Sequence, residues 1–181
     1  MCPKCGWRIR ATELTGIPVL HADYSDPDVC AVGDDFYMTA SSFGCTPGLP
    51  VLHSKDLVNW RNRQLCLKEL EPKEFYNSAR HGKGVWAPSI RYHKGEFYIY
   101  WGDPDFGIFM VKTKDPAGEW EKPVLVKAGK GMIDLHRCGM RTDMCIWYMP
   151  GPAAVQDEQY CGGMRNECGR HAGYQQSGTC V

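Results

Sequence analysis

The sequence predicts an all-β protein built from four-stranded blades, and three observations carry that prediction. Between residues 18 and 134, short aromatic and β-branched runs alternate with turn residues. The same stretch repeats itself at a period near 60 residues. No segment within it sustains the spacing of apolar positions that an amphipathic helix needs.

The strands follow in order. Phe36-Tyr37-Met38-Thr39-Ala40 comes after the turn Gly33-Asp34-Asp35. Phe97-Tyr98-Ile99-Tyr100-Trp101 comes after Lys94-Gly95-Glu96, and Ile108-Phe109-Met110-Val111 after Asp105-Phe106-Gly107. Each is a strand-turn-strand signal. Pro27-Asp28-Val29 leads to Phe36-Tyr37 as Pro88-Ser89-Ile90 leads to Phe97-Tyr98, at one common offset (88−27 = 61). Ser54-Lys55-Asp56 and Trp60 are echoed by Thr113-Lys114-Asp115 and Trp120. One period of short strands fits one propeller blade.

Composition narrows the function classes. The formal net charge of the 181 residues is zero, which supplies no attraction to nucleic acid or to an anionic membrane. No apolar run is long enough to cross a bilayer as a helix. Met1-Cys2-Pro3-Lys4-Cys5-Gly6 lacks the apolar core of a secretory signal, so the expected location is cytoplasmic. Ten cysteines admit a disulfide framework or a zinc site. Cys2 and Cys5 have the spacing of half a zinc ribbon, but Cys161 and Cys168 are too far apart to complete it. A cytoplasmic chain also disfavours disulfides. A zinc-binding interaction protein is the reading those two cysteines leave open.

Motifs in sequence order carry a family resemblance. They are Tyr24-Ser25-Asp26-Pro27-Asp28-Val29, Thr39-Ala40-Ser41-Ser42-Phe43 and Leu52-His53-Ser54-Lys55-Asp56-Leu57-Val58-Asn59-Trp60. Gly84-Val85-Trp86-Ala87-Pro88-Ser89-Ile90 and Gly131-Met132-Ile133-Asp134 complete the series. Over 18–134 the chain resembles glycoside hydrolase family 43. The resemblance implies a five-bladed β-propeller, of which this chain holds about two blades and a fragment of the third. It also implies hydrolysis, by inversion, of O-glycosyl bonds in xylose- or arabinose-containing oligosaccharides or polysaccharides, with no cofactor and no metal. Oligomeric state stays open, as does the choice among xylosidase, arabinofuranosidase and arabinanase.

An inverting hydrolase needs a carboxylate that activates water and an acid that protonates the departing oxygen. By resemblance, Asp26 is the general base. Asp134 orients the acid and raises its pKa by like-charge repulsion. Phe43 and Trp86 match the aromatic floor and wall of the sugar subsite, where ring faces meet sugar C–H groups. The other notable residues have plainer readings. Asp28, Asp103 and Asp105 are expected in turns or solvent, and Trp60 and Trp120 in packing. His21, His53, His81 and His93 lack metal-ligand spacing, and Lys112 and Lys114 are expected to decorate a strand edge.

The resemblance stops after Asp134. Its catalytic Glu has no match, since Glu158 and Glu167 stand in a different context. Residues 135–181 and 1–17 are expected to be irregular, as wrong-frame translations. Codons for Cys138 to Ala154 can be chosen so that a frame opened one base earlier reads L-W-D-E-D-G-Y-V-Y-L-V-H-A-W-A-G-S, a strand, a turn and a strand. Trp7 to Pro18 shifts to A-D-T-G-D-G-T-Y-R-N-P, and Asn62 to Lys68 to T-V-N-Y-A-L-K. Eight of the ten cysteines fall in these patches, which explains their surplus. Two blades alone leave open edges, so aggregation is expected, and little activity is expected because the base and the orienting Asp stand without the acid. A sugar-binding fragment without chemistry is the further alternative.

Overall fold

The computed structural model describes residues 19–139, 144–150 and 178–180, with side chains described for 19–135. Two four-stranded antiparallel sheets follow each other along the chain, and a three-stranded sheet packs against the second through its first strand. Blade 1 consists of β1 (Asp28–Val32), β2 (Asp35–Thr39), β3 (Gly48–Ser54) and β4 (Arg61–Leu67), paired in that order. One helical turn, α1 (Lys73–Tyr76), lies in the connection to blade 2. Blade 2 consists of β5 (Trp86–His93), β6 (Glu96–Asp103), β7 (Gly107–Thr113) and β8 (Val124–Ala128). A third sheet starts with β9 (Met132–Gly139), which pairs with β10 (Met144–Pro150) and through it with β11 (Gly178–Cys180).

The repeat seen in the sequence is a repeat of turns as well as strands. Lys94 and Gly95 join β5 to β6 with φ of 48° and 89°, the left-handed pair that suits a two-residue hairpin. After β3, the Ser54 hydroxyl accepts from the Asp56 and Leu57 amides at 3.1 and 3.0 Å, and Asp56 Oδ1 accepts from the Val58 and Asn59 amides. After β7, Thr113 Oγ1 accepts from the Asp115 amide at 3.2 Å, and Asp115 Oδ1 from the Ala117 amide. A hydroxyl followed two residues later by Asp therefore builds the same turn in both blades. Trp120 packs against the core as expected, while the Trp60 indole stays within its own turn and donates to Leu57 O at 3.0 Å.

Alternation along the strands sorts the core into two layers. On β6, Phe97, Ile99 and Trp101 face blade 1, where they meet Cys30, Leu49, Val51 and Leu67. Tyr98 and Tyr100 point the other way, toward Met132 and Leu135. The neighbouring β7 divides likewise: Phe109 and Val111 join the first layer, Ile108 and Met110 the second. Side chains alternate across a strand, so a sheet covered on both faces must be apolar at successive positions. Blade 2 meets that condition, and its β6 is buried from Ile99 to Asp103. Each fully buried Ile or Val contributes about 1.5–3 kcal/mol.

Three segments depart from the expectation of irregular chain over 135–181. The end of β9, β10 and β11 are strands. The apolar, β-prone run Met144-Cys145-Ile146-Trp147-Tyr148-Met149 explains why β10 pairs with β9. The rest of that tail lies outside the described residues, as do 1–17, Cys2, Cys5, Glu158 and Glu167. Among the described residues, no helix is long and apolar enough to cross a membrane.

Candidate active site

One backbone irregularity recurs at the start of each blade's first strand. Asp26 stands two residues before β1 with φ of 49°. Ala87 occupies the same place in blade 2 with φ of 34°, inside a register shift between Trp86 and Ser89. Asp134 has φ of 53° on β9, just past the Ile133–Met149 pair and before His136 pairs with Trp147. Left-handed backbone costs a residue with a Cβ about 1–2 kcal/mol. Its presence at all three positions shows that the left-handed residue belongs to the blade architecture and not to one side chain, and at Ala87 and Asp134 it coincides with a register shift. A bulge re-aims the side chain it carries.

These three positions lie at the same end of neighbouring strands. Asp28, at the head of β1, accepts from Ser89 Oγ at 3.0 Å and from the Ile90 amide at 2.8 Å, both on β5. It is also ion-paired with Arg91. The head of β5 in turn abuts β9, because Trp86 pairs with Gly102 and a Cβ at Gly102 would run into the Met132 carbonyl. Asp26 and Asp134 therefore flank the Trp86–Ala87 segment, and both are exposed.

Asp26 is held by a short relay. Ser41 Oγ donates to Asp26 Oδ2 at 2.7 Å and accepts from the Ala87 amide at 2.8 Å. The Ser41 amide donates to Ser25 O at 2.9 Å, which fixes the segment carrying the hydroxyl. Asp26 Oδ1 has no hydrogen-bond partner among the described residues. Next to this relay, Phe43 and Val85 exchange backbone hydrogen bonds at 3.0 and 3.2 Å. That bridge sets the Phe43 ring edge-to-face against Trp86, with centroids 5.9 Å apart and planes at 88°. The Trp86 indole donates to Gly82 O at 3.1 Å, which leaves the ring half-buried and turned along the loop. The two aromatic residues that the sequence pairs are thus joined as a corner beside Asp26.

The connection between the blades forms a second shelf on the same end. A helix of four residues does not nucleate by itself, and α1 has no side-chain cap. Its aromatics hold it instead: Phe75 stacks edge-on with Tyr76 and Phe106 at 5.0 Å each. The Arg80 guanidinium lies 4.6 Å over Phe75, and Lys83 pairs with Asp105 at 3.0 Å. The Tyr76 hydroxyl donates to Asp103 at 2.5 Å. Burial pushes the Asp103 carboxyl above its usual range, and its hydrogen bonds only partly offset that. Burial, with the Asp103 charge beside it, also raises the Tyr76 phenol.

Of the three aspartates expected in turns or solvent, Asp28 needs correction, whereas Asp103 and Asp105 do build the β6–β7 turn but are shielded from solvent. Asp28 is a clasp between blades, and its three partners cluster 61 to 63 positions away. Asp103 is buried inside the β6–β7 turn, capping the Asp105 amide and receiving Tyr76. Asp105 is half-buried and ion-paired. Of the histidines, His53 lies 2.5 Å from Asp35 and 3.1 Å from Arg63 Nη2, so it is a hydrogen-bonding group of the blade 1 surface. Lys112 on β7 lies 3.7 and 3.6 Å from Glu96 and Glu121. Ser41 escaped the sequence reading altogether. Its only signal is its place in the Ala40-Ser41-Ser42-Phe43 motif, and its Ala87 partner is 46 positions distant.

Comparison with known proteins agrees with this architecture. Residues 15–137 match the family described as glycosyl hydrolases family 43. A non-reducing end alpha-L-arabinofuranosidase from Bacteroides ovatus is 42% identical over 113 residues, which cover 60% of this chain and 21% of that protein. A beta-xylosidase from Formosa agariphila is 38% identical over 120 residues, covering 65% of this chain and 20% of the other. The solved structure of the Bacteroides ovatus xyloglucan PUL GH43B protein superposes with a TM-score of 0.64 at 34% identity, covering 73% of this chain and 27% of that one. The chain thus spans about a fifth of the length of these two curated relatives. Its sheets are the first two blades, and the start of a third, of a five-bladed propeller. The match over more than half of its residues makes this chain a member of glycosyl hydrolases family 43.

Proposed function

We propose that this chain supplies the base-bearing part of an inverting glycosidase that cuts O-glycosyl bonds of xylose- or arabinose-containing saccharides. The observation that carries the reading is the fixed Asp26 carboxylate beside the Phe43–Trp86 corner. Relatives named xylosidase and arabinofuranosidase support the sugar class. In this reading the sugar ring lies against the aromatic corner, and a water sits on Asp26. As the water oxygen bonds to the anomeric carbon, Asp26 takes its proton, and the glycosidic oxygen leaves with the bonding electrons. Asp134, at the next inner strand, orients the acid that protonates that oxygen. No residue of 18–134 is assigned as that acid.

A leaving group that departs without a proton isolates the base from the acid. Fluoride is one, so β-D-xylopyranosyl fluoride and α-L-arabinofuranosyl fluoride are the substrates of choice, with release read by a fluoride electrode. The full chain is expected to release fluoride from one of them, and Asp26→Asn to lower the rate by about a hundredfold or more. Equal release by wild type and Asp26→Asn would remove Asp26 from the mechanism. Binding of xylo-oligosaccharide without release, abolished in Trp86→Ala, would instead make the chain a sugar-binding fragment.

A further inference from the structure

We propose that Ser41 is a positioning residue for Asp26, and that it ties the orientation of that carboxylate to the docking of blade 2 on blade 1. The proposal rests on Asp26 being the base of the reaction above, but its structural half is tested separately. Ser41 is 6% exposed and lies between β2 and β3, while Asp26 precedes β1 and Ala87 lies on β5. A hydroxyl has one proton to give. The Ala87 amide can only donate, and it points at Ser41 Oγ from 2.8 Å. The Ser41 proton is therefore directed to Asp26 Oδ2, 2.7 Å away. That bond occupies one carboxylate oxygen and sets the plane of the other.

Ala87 can serve this purpose because it stands at the blade 2 counterpart of the Asp26 position and shares its left-handed backbone. The left-handed residue that carries the carboxylate in blade 1 presents an amide in blade 2. If blade 2 shifts on blade 1, the amide leaves Ser41, and the hydroxyl becomes free to turn from Asp26. Nothing in the relay needs a ligand. It is a built-in orientation of the base by the neighbouring blade.

The first test does not require turnover. In the 15N-labelled full chain, the Ala87 amide proton shift is followed across the carboxylate titration range, about pH 3 to 7. Wild type is expected to show a pH response that disappears in Asp26→Asn, which assigns it to Asp26. Ser41→Ala should shrink that response about fivefold or more, and Ser41→Thr, which keeps the hydroxyl, should restore it. Unchanged Ile99 and Val111 amide shifts show that the core is intact in each variant. A full response in Ser41→Ala, no response in wild type, or no recovery in Ser41→Thr would overturn the proposal.

The second test uses glycosyl fluoride. Ser41→Ala should lower kcat about tenfold with KM within about twofold, and Ser41→Thr should stay within about threefold of wild type. A rise in KM with kcat unchanged would mean that Ser41 serves the sugar subsite and not the base, and would overturn the proposal. Fluoride release that survives Asp26→Asn would sink the assignment of the base while leaving the amide titration, and so the relay, intact.

Discussion

Replacing Asp28 by Ala tests how the two blades are held together. Asp28 Oδ2 receives the Ile90 amide at 2.8 Å, the Ser89 hydroxyl at 3.0 Å and the Arg91 guanidinium. Ile90 is 0% exposed, so loss of its acceptor leaves a buried amide unmatched, at about 1–3 kcal/mol. Ser89 is buried too, and its lost hydrogen bond adds about 0.5–1.5 kcal/mol. The Arg91 pair, with both side chains nearly a third exposed, adds at most about 1 kcal/mol. Asp28→Ala should therefore cost about 2–4 kcal/mol. With a urea m-value of about 2 kcal/mol/M, the midpoint falls by about 1–2 M. Asp28→Asn keeps an acceptor where Oδ2 stands and gives up only the charge, so its loss should stay within about 1 kcal/mol. Urea unfolding of the three proteins, followed by tryptophan fluorescence, reads the difference. A midpoint for Asp28→Ala within about 0.3 M of wild type would refute the clasp, as would an Asn variant as unstable as the Ala variant.

Three further outcomes follow from the same packing. Gly102→Ala puts a methyl group against the Met132 carbonyl and Ile133 Cα, and should cost about 1–3 kcal/mol while speeding hydrogen exchange at Met132 to Leu135. Asp103→Asn changes the pH dependence of stability. Because burial raises the folded carboxyl above its ordinary 3.8, the native state holds more protons than the unfolded one, and wild-type stability falls as pH rises from about 4. The stability of Asp103→Asn relative to wild type should therefore increase between pH 4 and 7, and a constant difference in urea midpoint would show that Asp103 carries no such penalty. Among Cys30, Cys45 and Cys66, iodoacetamide at about pH 8 should label exposed Cys45 first, as read by peptide mass spectrometry. Burial pushes the Cys30 thiol up to about 12 and raises Cys66 as well, so early labelling of either would mean that the sheet packing is open.

The blade pattern was legible because it is local. Strand alternation and the hydroxyl-x-Asp turn are short-range signals, and they repeat in Ser54-Lys55-Asp56 and Thr113-Lys114-Asp115. The roles of Asp28 and Asp103 were not legible, because an Asp next to Pro reads as a turn residue whatever lies across the blade boundary. Their partners are Ser89, Ile90 and Arg91 in one case and Tyr76 in the other, all supplied by tertiary packing. The helical turn α1 was hidden for a related reason. Four residues give no helical period, and what holds them is a contact between Phe75 and Phe106, 31 positions apart (106−75 = 31).

The spacing of the candidate site carries a further consequence. Asp26 and Ala87 are one full period of 61 apart, but Ala87 and Asp134 only 47 (134−87 = 47). The strands do not explain this shortfall of 14 (61−47 = 14), because both sheets have four. The connection between β4 and β5 spans 18 residues, 68–85, whereas β8 and β9 are joined by only three, 129–131. The surplus of 15 (18−3 = 15) is the segment with α1, Arg80 and Lys83. It leaves blade 1 where Leu67 ends and returns to blade 2 at Trp86, so its length is spent beside the aromatic corner and not inside either sheet. A propeller can absorb such a segment without disturbing its blades, because the inner strands are registered by Asp28 and the Gly102 contact and not by loop length. The framework therefore fixes where Asp26 and Asp134 stand.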